Sequence, residues 1–176
     1  MDDLYKATYS TGDVPASRTR EAGEDAVRTP GGNILVADDN PENLAVLGTM
    51  LERVGYQVRV ARNGKEAIES ALIAPPDLFI LDVHMPKLDG YATCQTLKAT
   101  AALAHIPVIF LSALSDPFNK RASYEAGGID YIEKPYSFDD VTNRIKNVLR
   151  LAWLEKRCAY LEKRCSELEE KTRGRD

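Results

Sequence analysis

From Asn33 onward, short apolar runs recur between longer segments with helical spacing. The runs Ile34-Leu35-Val36-Ala37, Tyr56 to Val60, Leu78-Phe79-Ile80-Leu81, Val108-Ile109-Phe110-Leu111 and Tyr131-Ile132 predict five strands. Their apolar character is nearly continuous rather than alternating, which marks strands covered on both faces. The intervening segments carry helix-start signals. Asn40-Pro41-Glu42 offers a cap, a proline at the first helical position and an acid facing the positive helix end, and Gly55 closes that helix. Asn63 to Glu66 and Ser137 to Asp140 have cap-plus-acid spacing. Asp116-Pro117 opens a further helix that Gly127-Gly128 ends. Strand and helix alternating five times predict an α/β fold, a doubly wound parallel sheet with right-handed crossovers. Ligands of such sheets bind at the carboxyl ends of the strands, so chemistry is to be sought there.

At 176 residues the chain has room for one core and tails. Residues 1–31 mix Ser, Thr, Gly, Pro and alternating charges and predict a flexible N-terminal arm, with the folded domain over 32–150. A hydrophobic content of 44% with 28% charged residues excludes a wholly disordered or collagen-like chain. The net charge of −4 gives no overall basic field, so neither direct nucleic-acid binding nor a membrane partner is expected. No apolar run approaches a membrane span, and the polar N-terminus lacks a secretory signal; the expected location is the cytoplasm. Cys94, Cys158 and Cys165 follow no metal-binding spacing and predict reduced thiols.

Asp38 and Asp39 follow the first strand and Asp82 follows the third. If those strands are neighbours, three carboxylates converge on one edge, an arrangement that is costly without a cation and suits Mg²⁺. Any one of these aspartates is more simply a cap for the next helix; the three together point to a metal. The fourth and fifth strands end in Ser112 and Lys134, a hydroxyl and a cation delivered to the same edge. Such a constellation suits a phosphorylated carboxylate: one Asp attacks phosphorus, the ion neutralises the transferring oxygens, and Lys and Ser hold the oxygens that remain.

Here the sequence resembles the receiver domain of two-component response regulators, from about Asn33 to Arg150. The resemblance rests on Asp38-Asp39, Asp82-Val83-His84-Met85-Pro86-Lys87-Leu88-Asp89-Gly90, Ser112-Ala113 and Lys134-Pro135, in that order after successive strands. It implies a flavodoxin-like sheet of strand order 2-1-3-4-5 with five helices, the last of them extended. It also implies that Asp82 is the phosphoacceptor, and that Mg²⁺ is held by Asp39, by Asp38 mainly through water, by Asp82 and by the backbone carbonyl of His84. Lys134 would contact the phosphoryl group, Ser112 and Tyr131 would be the switch residues, and Pro135 would follow a cis peptide bond. The implied partner is a histidine kinase.

Past Arg150 a heptad seam continues the last helix over 151–172, with 173–176 as a flexible end. Leu151, Cys158, Cys165 and Thr172 occupy position a, and Leu154, Leu161 and Leu168 position d. Glu155, Glu162 and Glu169 at e stand against Arg157, Arg164 and Lys171 at g, a charge order that favours a parallel homodimer over an antiparallel one. In that pair two Cys158 or two Cys165 side chains would meet, and oxidation could trap them as an interchain disulfide. The alternative is a single helix laid back on its own domain, with Trp153 and Tyr160 serving that contact. The tail from Leu151 carries seven Lys or Arg and six Asp or Glu, unlike the concentrated basic region of a DNA-binding zipper.

The leading expectation is therefore a phosphorylation switch that transmits through helix five and the coil to an unidentified downstream partner. A constitutive dimerisation scaffold and a phosphorelay intermediate are the alternatives. No enzyme acting on an external substrate is expected, only self-phosphorylation from small donors and hydrolysis of the chain's own acyl phosphate.

Overall fold

A computed structural model describes residues 31–113 and 117–173. The expected arm lies outside the described residues except for Gly31, as does Asp116 of the expected helix start. Five strands, β1 (Asn33–Ala37), β2 (Gln57–Ala61), β3 (Leu78–Asp82), β4 (Val108–Ala113) and β5 (Asp130–Lys134), alternate with α1 (Pro41–Arg53), α2 (Gly64–Ile73), α3 (Gly90–Ala99), α4 (Pro117–Glu125) and α5 (Phe138–Arg173). All strand pairs are parallel and their order is β2-β1-β3-β4-β5. The flavodoxin-like order expected from the resemblance is thus the one observed.

Successive residues of the central strands feed opposite faces of the sheet, as the pleat requires. Leu35, Ala37, Phe79, Leu81, Val108 and Phe110 pack with Ala67, Cys94 and Leu97 from α2 and α3. Ile34, Val36, Leu78, Ile80, Ile109 and Leu111 pack on the other face with Leu44, Leu47 and Leu51 of α1 and Val141, Ile145 and Val148 of α5. Each fully buried side chain of this kind contributes roughly 1.5–3 kcal/mol.

The helix starts follow the expected chemistry. Asn40 accepts from the Glu42 amide, and Asn63 from the Glu66 amide while its own amide group donates to the Glu66 carboxylate. Ser137 Oγ accepts from the Asp140 amide. Asp89 caps α3 by accepting from the Ala92 amide. The second strand begins one residue later than its apolar run predicts. Gly55, at φ 92°, turns the chain out of α1, and the Tyr56 amide donates back to Leu51, so Tyr56 is buried beneath the sheet as part of the turn.

Helix α5 has 36 residues, roughly 54 Å of helix. Its first part is held by Val141, Ile145 and Val148, whereas Leu151, Trp153, Leu154, Tyr160, Leu161 and Leu168 are all 43% exposed or more. The helix therefore does not lie back on its own domain, and Trp153 and Tyr160 do not serve such a contact. No helix among the described residues is long and apolar enough to cross a membrane.

Candidate functional site

Pairing of β1 with β3 brings their carboxyl ends side by side, and with them the three aspartates. One carboxylate oxygen from each of Asp38, Asp39 and Asp82 lies within 4.8 Å of the others. Asp38 and Asp82 are buried, at 1% and 6% exposure, while Asp39 faces solvent. Lys134, at the end of β5, reaches across the edge: its Nζ stands 2.9 Å from Asp38 Oδ2 and 2.5 Å from Asp82 Oδ1. Three carboxylates against this one ammonium leave the cluster short of positive charge. An all-oxygen donor set with two buried members and an open side fits a hard divalent cation such as Mg²⁺.

Burial holds the Asp82 carboxyl above its ordinary range, and the Asp38 charge adds to that, while Lys134 and the His84 amide pull the other way. The Lys134 ammonium would be lowered by burial; its hydrogen bonds to Asp82 and Asp38 outweigh this and leave it raised. The pair is thus held ionised by mutual contact in a setting that penalises either charge alone.

The residues around this core differ in how they meet it. The His84 side chain is exposed, and its backbone amide, 2.9 Å from Asp82 Oδ2, fixes the acceptor carboxylate. Ser112 is buried, and its hydroxyl donates to its neighbour's carbonyl, Ala113 O, at 3.1 Å rather than to a carboxylate of the cluster. Tyr131 stands apart, edge-on to Tyr124 with the Lys120 ammonium 5.1 Å from its ring centre. The Lys134-Pro135 peptide bond is cis, as the resemblance implies.

Two contributors were not singled out from the sequence. Asn43, in the first turn of α1, donates from Nδ2 to both oxygens of Asp38 at 3.1 and 3.0 Å, and the Asn40 amide adds a third hydrogen bond. The available signal was an Asn placed a turn after an acid pair. Gly90 lies so close to the end of β3 that a Cβ there would sit 2.3 Å from Asp82 O, so the path of the loop over Asp82 requires glycine.

Comparison with known proteins agrees with this geometry. Residues 34–146 match the response regulator receiver domain. The solved receiver domain of a signal transduction histidine kinase from Syntrophus aciditrophicus is 42% identical, covering 68% of this chain and 91% of that one, with a TM-score of 0.64. The alkaline phosphatase synthesis transcriptional regulatory protein PhoP of Bacillus subtilis is 40% identical over 117 residues, which are 66% of this chain and 48% of PhoP. A probable cyclic di-GMP phosphodiesterase of Vibrio cholerae is 37% identical over 66% of this chain and 26% of its own length. The chain spans about half the length of the transcriptional regulators it matches, and proteins of different outputs share this part. With its strand order, its acidic edge and its matched length, the chain belongs to the response regulator receiver domain family.

Proposed function

We propose that Asp82 accepts a phosphoryl group from a partner histidine kinase and that the change is passed along α5 to a dimeric coil. The observation that supports this reading best is Lys134 Nζ between Asp38 and Asp82 at the end of the acceptor strand. An Asp82 carboxylate oxygen attacks phosphorus of the phosphohistidine; the new O–P bond forms as the N–P bond breaks, and the imidazole nitrogen leaves with the electron pair. Lys134 meets the oxygens of the arriving group, and the His84 amide holds the second carboxylate oxygen in place. Asp38, Asp39, Asp82 and the His84 carbonyl are the groups that would hold Mg²⁺, which when bound would supply charge neutralisation at the transferring oxygens. Ser112 then turns its hydroxyl from Ala113 to a phosphoryl oxygen, and Tyr131 changes packing with it, which biases α4, β5 and α5 between two arrangements.

This is a signalling role, with turnover confined to the chain's own acyl phosphate. The exposed leucines of α5 and the opposed signs at e and g support a parallel homodimer through residues 151–172. The test is intact-protein mass after incubation with acetyl phosphate and Mg²⁺, with Asp82→Asn alongside and light scattering on both. An adduct of one phosphoryl group in the wild type alone is expected. Absence of any adduct with acetyl phosphate or phosphoramidate would overturn the acceptor reading and leave a constitutive scaffold.

A further inference from the structure

Two of the three cysteines sit where the receiver chemistry has no use for them. Cys158 and Cys165 are exposed on the projecting part of α5, one heptad apart, both at position a of the seam. Cys94, by contrast, is fully buried between α3 and the sheet. The heptads around the exposed pair repeat nearly residue for residue, Trp153-Leu154-Glu155-Lys156-Arg157-Cys158 and Tyr160-Leu161-Glu162-Lys163-Arg164-Cys165. A polar or small residue at a costs stability compared with Ile or Val, so each cysteine layer weakens the coil in its reduced form.

We propose that Cys158 and Cys165 form two interchain thiol layers of a parallel coil of two copies of this chain, which a small-molecule disulfide such as oxidised glutathione converts into covalent cross-links. The inference rests on the dimer reading above and deepens it.

The occupant of the seam is a second copy because the charges flanking it are self-complementary in one register. Arg157 faces Glu162 of a parallel partner, and Arg164 faces Glu169, whereas antiparallel pairing sets like charges together. Geometry then allows the bond. Helix axes roughly 8–10 Å apart, each with Cα atoms at a radius of about 2.3 Å, bring facing a positions to roughly 3.4–5.4 Å, and the wider spacings fall inside the range of about 4.4–6.8 Å that a disulfide spans. The two layers are about 10 Å apart along the axis, so each cysteine reaches only its own counterpart. In an antiparallel pair a positions lie against d positions, where this sequence has leucine, and no cysteine would meet another.

The chemistry balances without a metal or an external electron acceptor beyond the named disulfide. A Cys158 thiolate attacks one sulfur of oxidised glutathione and expels one glutathione thiolate; the partner copy's thiolate then attacks the mixed disulfide and expels the second. Two protein thiols are oxidised and one glutathione disulfide is reduced to two thiols. A seam of four leucine layers, with cysteine or threonine at the other a positions, dissociates on dilution, and the cross-link removes that dependence.

The full chain is tested at one protein concentration in oxidised glutathione, then in excess dithiothreitol. Sedimentation in dithiothreitol reads the dimer alone, and non-reducing peptide mapping after oxidation reads the linkage. Expected are a concentration-dependent dimer when reduced, a dimer mass unchanged over a hundredfold dilution when oxidised, and Cys158–Cys158 and Cys165–Cys165 peptides. Either single variant, Cys158→Ser or Cys165→Ser, retains one cross-link. The double variant Cys158→Val with Cys165→Val retains the reduced dimer and loses cross-linking. Cys158–Cys165 peptides between chains, or a reduced dimer that never cross-links, would overturn the thiol layers and leave the dimer standing. A monomer under reducing conditions that stays a monomer on oxidation would overturn both.

Discussion

Asp82 and Lys134 are joined end to end across the sheet edge, the ammonium 2.5 Å from a carboxylate oxygen at the tip of β3. Neither charge suits its place alone: burial raises Asp82 and would lower Lys134, and each is kept ionised by the other.

Lys134→Ala is therefore expected to destabilise the fold by about 2–4 kcal/mol at neutral pH, since it leaves two buried carboxylates facing each other. The sign of the pH response follows from Asp82. A carboxyl whose folded pKa lies above its unfolded value costs stability while ionised and returns it as pH falls through the folded value. Urea melts of Lys134→Ala should accordingly recover part of the loss as pH falls from neutral toward the ordinary carboxylate range, where the wild type gains less. An equal response in both proteins would count against the coupling.

Asn43→Ala removes two hydrogen bonds from a carboxylate that is 1% exposed. The expected cost is about 1–3 kcal/mol, with weaker Mg²⁺ binding because Asp38 is no longer aimed. A chemical melt with and without Mg²⁺ checks both halves, and Asn43→Asp should be worse than Ala for the metal-free protein, since it adds a fourth carboxylate.

Gly90→Ala places a methyl group 2.3 Å from Asp82 O and 3.0 Å from the Val83 Cα. Backbone must move, and a loss of about 1–3 kcal/mol with slower phosphoryl uptake from acetyl phosphate is expected. Gly31→Ala, at a position with open space around it, is the matched control and should do neither.

The three thiols should separate cleanly in alkylation. Burial pushes the Cys94 thiol up to about 11, whereas Cys158 and Cys165 are exposed. At about pH 8, in reductant-treated protein diluted until the chains are separate, iodoacetamide should modify two thiols per chain within minutes, and Cys94 only after denaturant is added. Modification of Cys94 in the native protein would contradict its burial among Leu97, Leu103 and Phe110.

Much of this was legible in the residue pattern, for a physical reason. The strands Ile34 to Ala37 and Leu78 to Leu81 are buried on both faces, and burial of that kind admits little but aliphatic residues, so their positions stand out. Asp38, Asp39 and Asp82 were legible because they end or follow such strands, and Lys134 because it ends the partly exposed edge strand β5; sheet order brings those ends together. What the pattern did not carry was side-chain aim. Asn43 reads as one more polar residue on a helix, and only the fold shows that it faces Asp38. Ser112 reads as a donor at the site, yet its hydroxyl is turned to Ala113. The start of β2 was missed by one residue because Tyr56 is as apolar as a strand residue, and only the left-handed turn at Gly55 assigns it to the connection.

Helix α5 uses two different sides of one rod. Val141, Ile145 and Val148 fasten it to the sheet, while Leu151, Leu154 and Cys158 lead the exposed seam. At about 100° per residue these rows point roughly a third of a turn apart, and no glycine or proline interrupts the helix between them. The same rod can thus be gripped by its own domain and by a second coil strand at once, with neither contact displacing the other. In the proposed dimer, a roll of the gripped end by a few degrees would run along the uninterrupted helix and change the angle at which the two chains meet. Torsion is the quantity that a helix gripped in this way would carry from the receiver to the proposed coil.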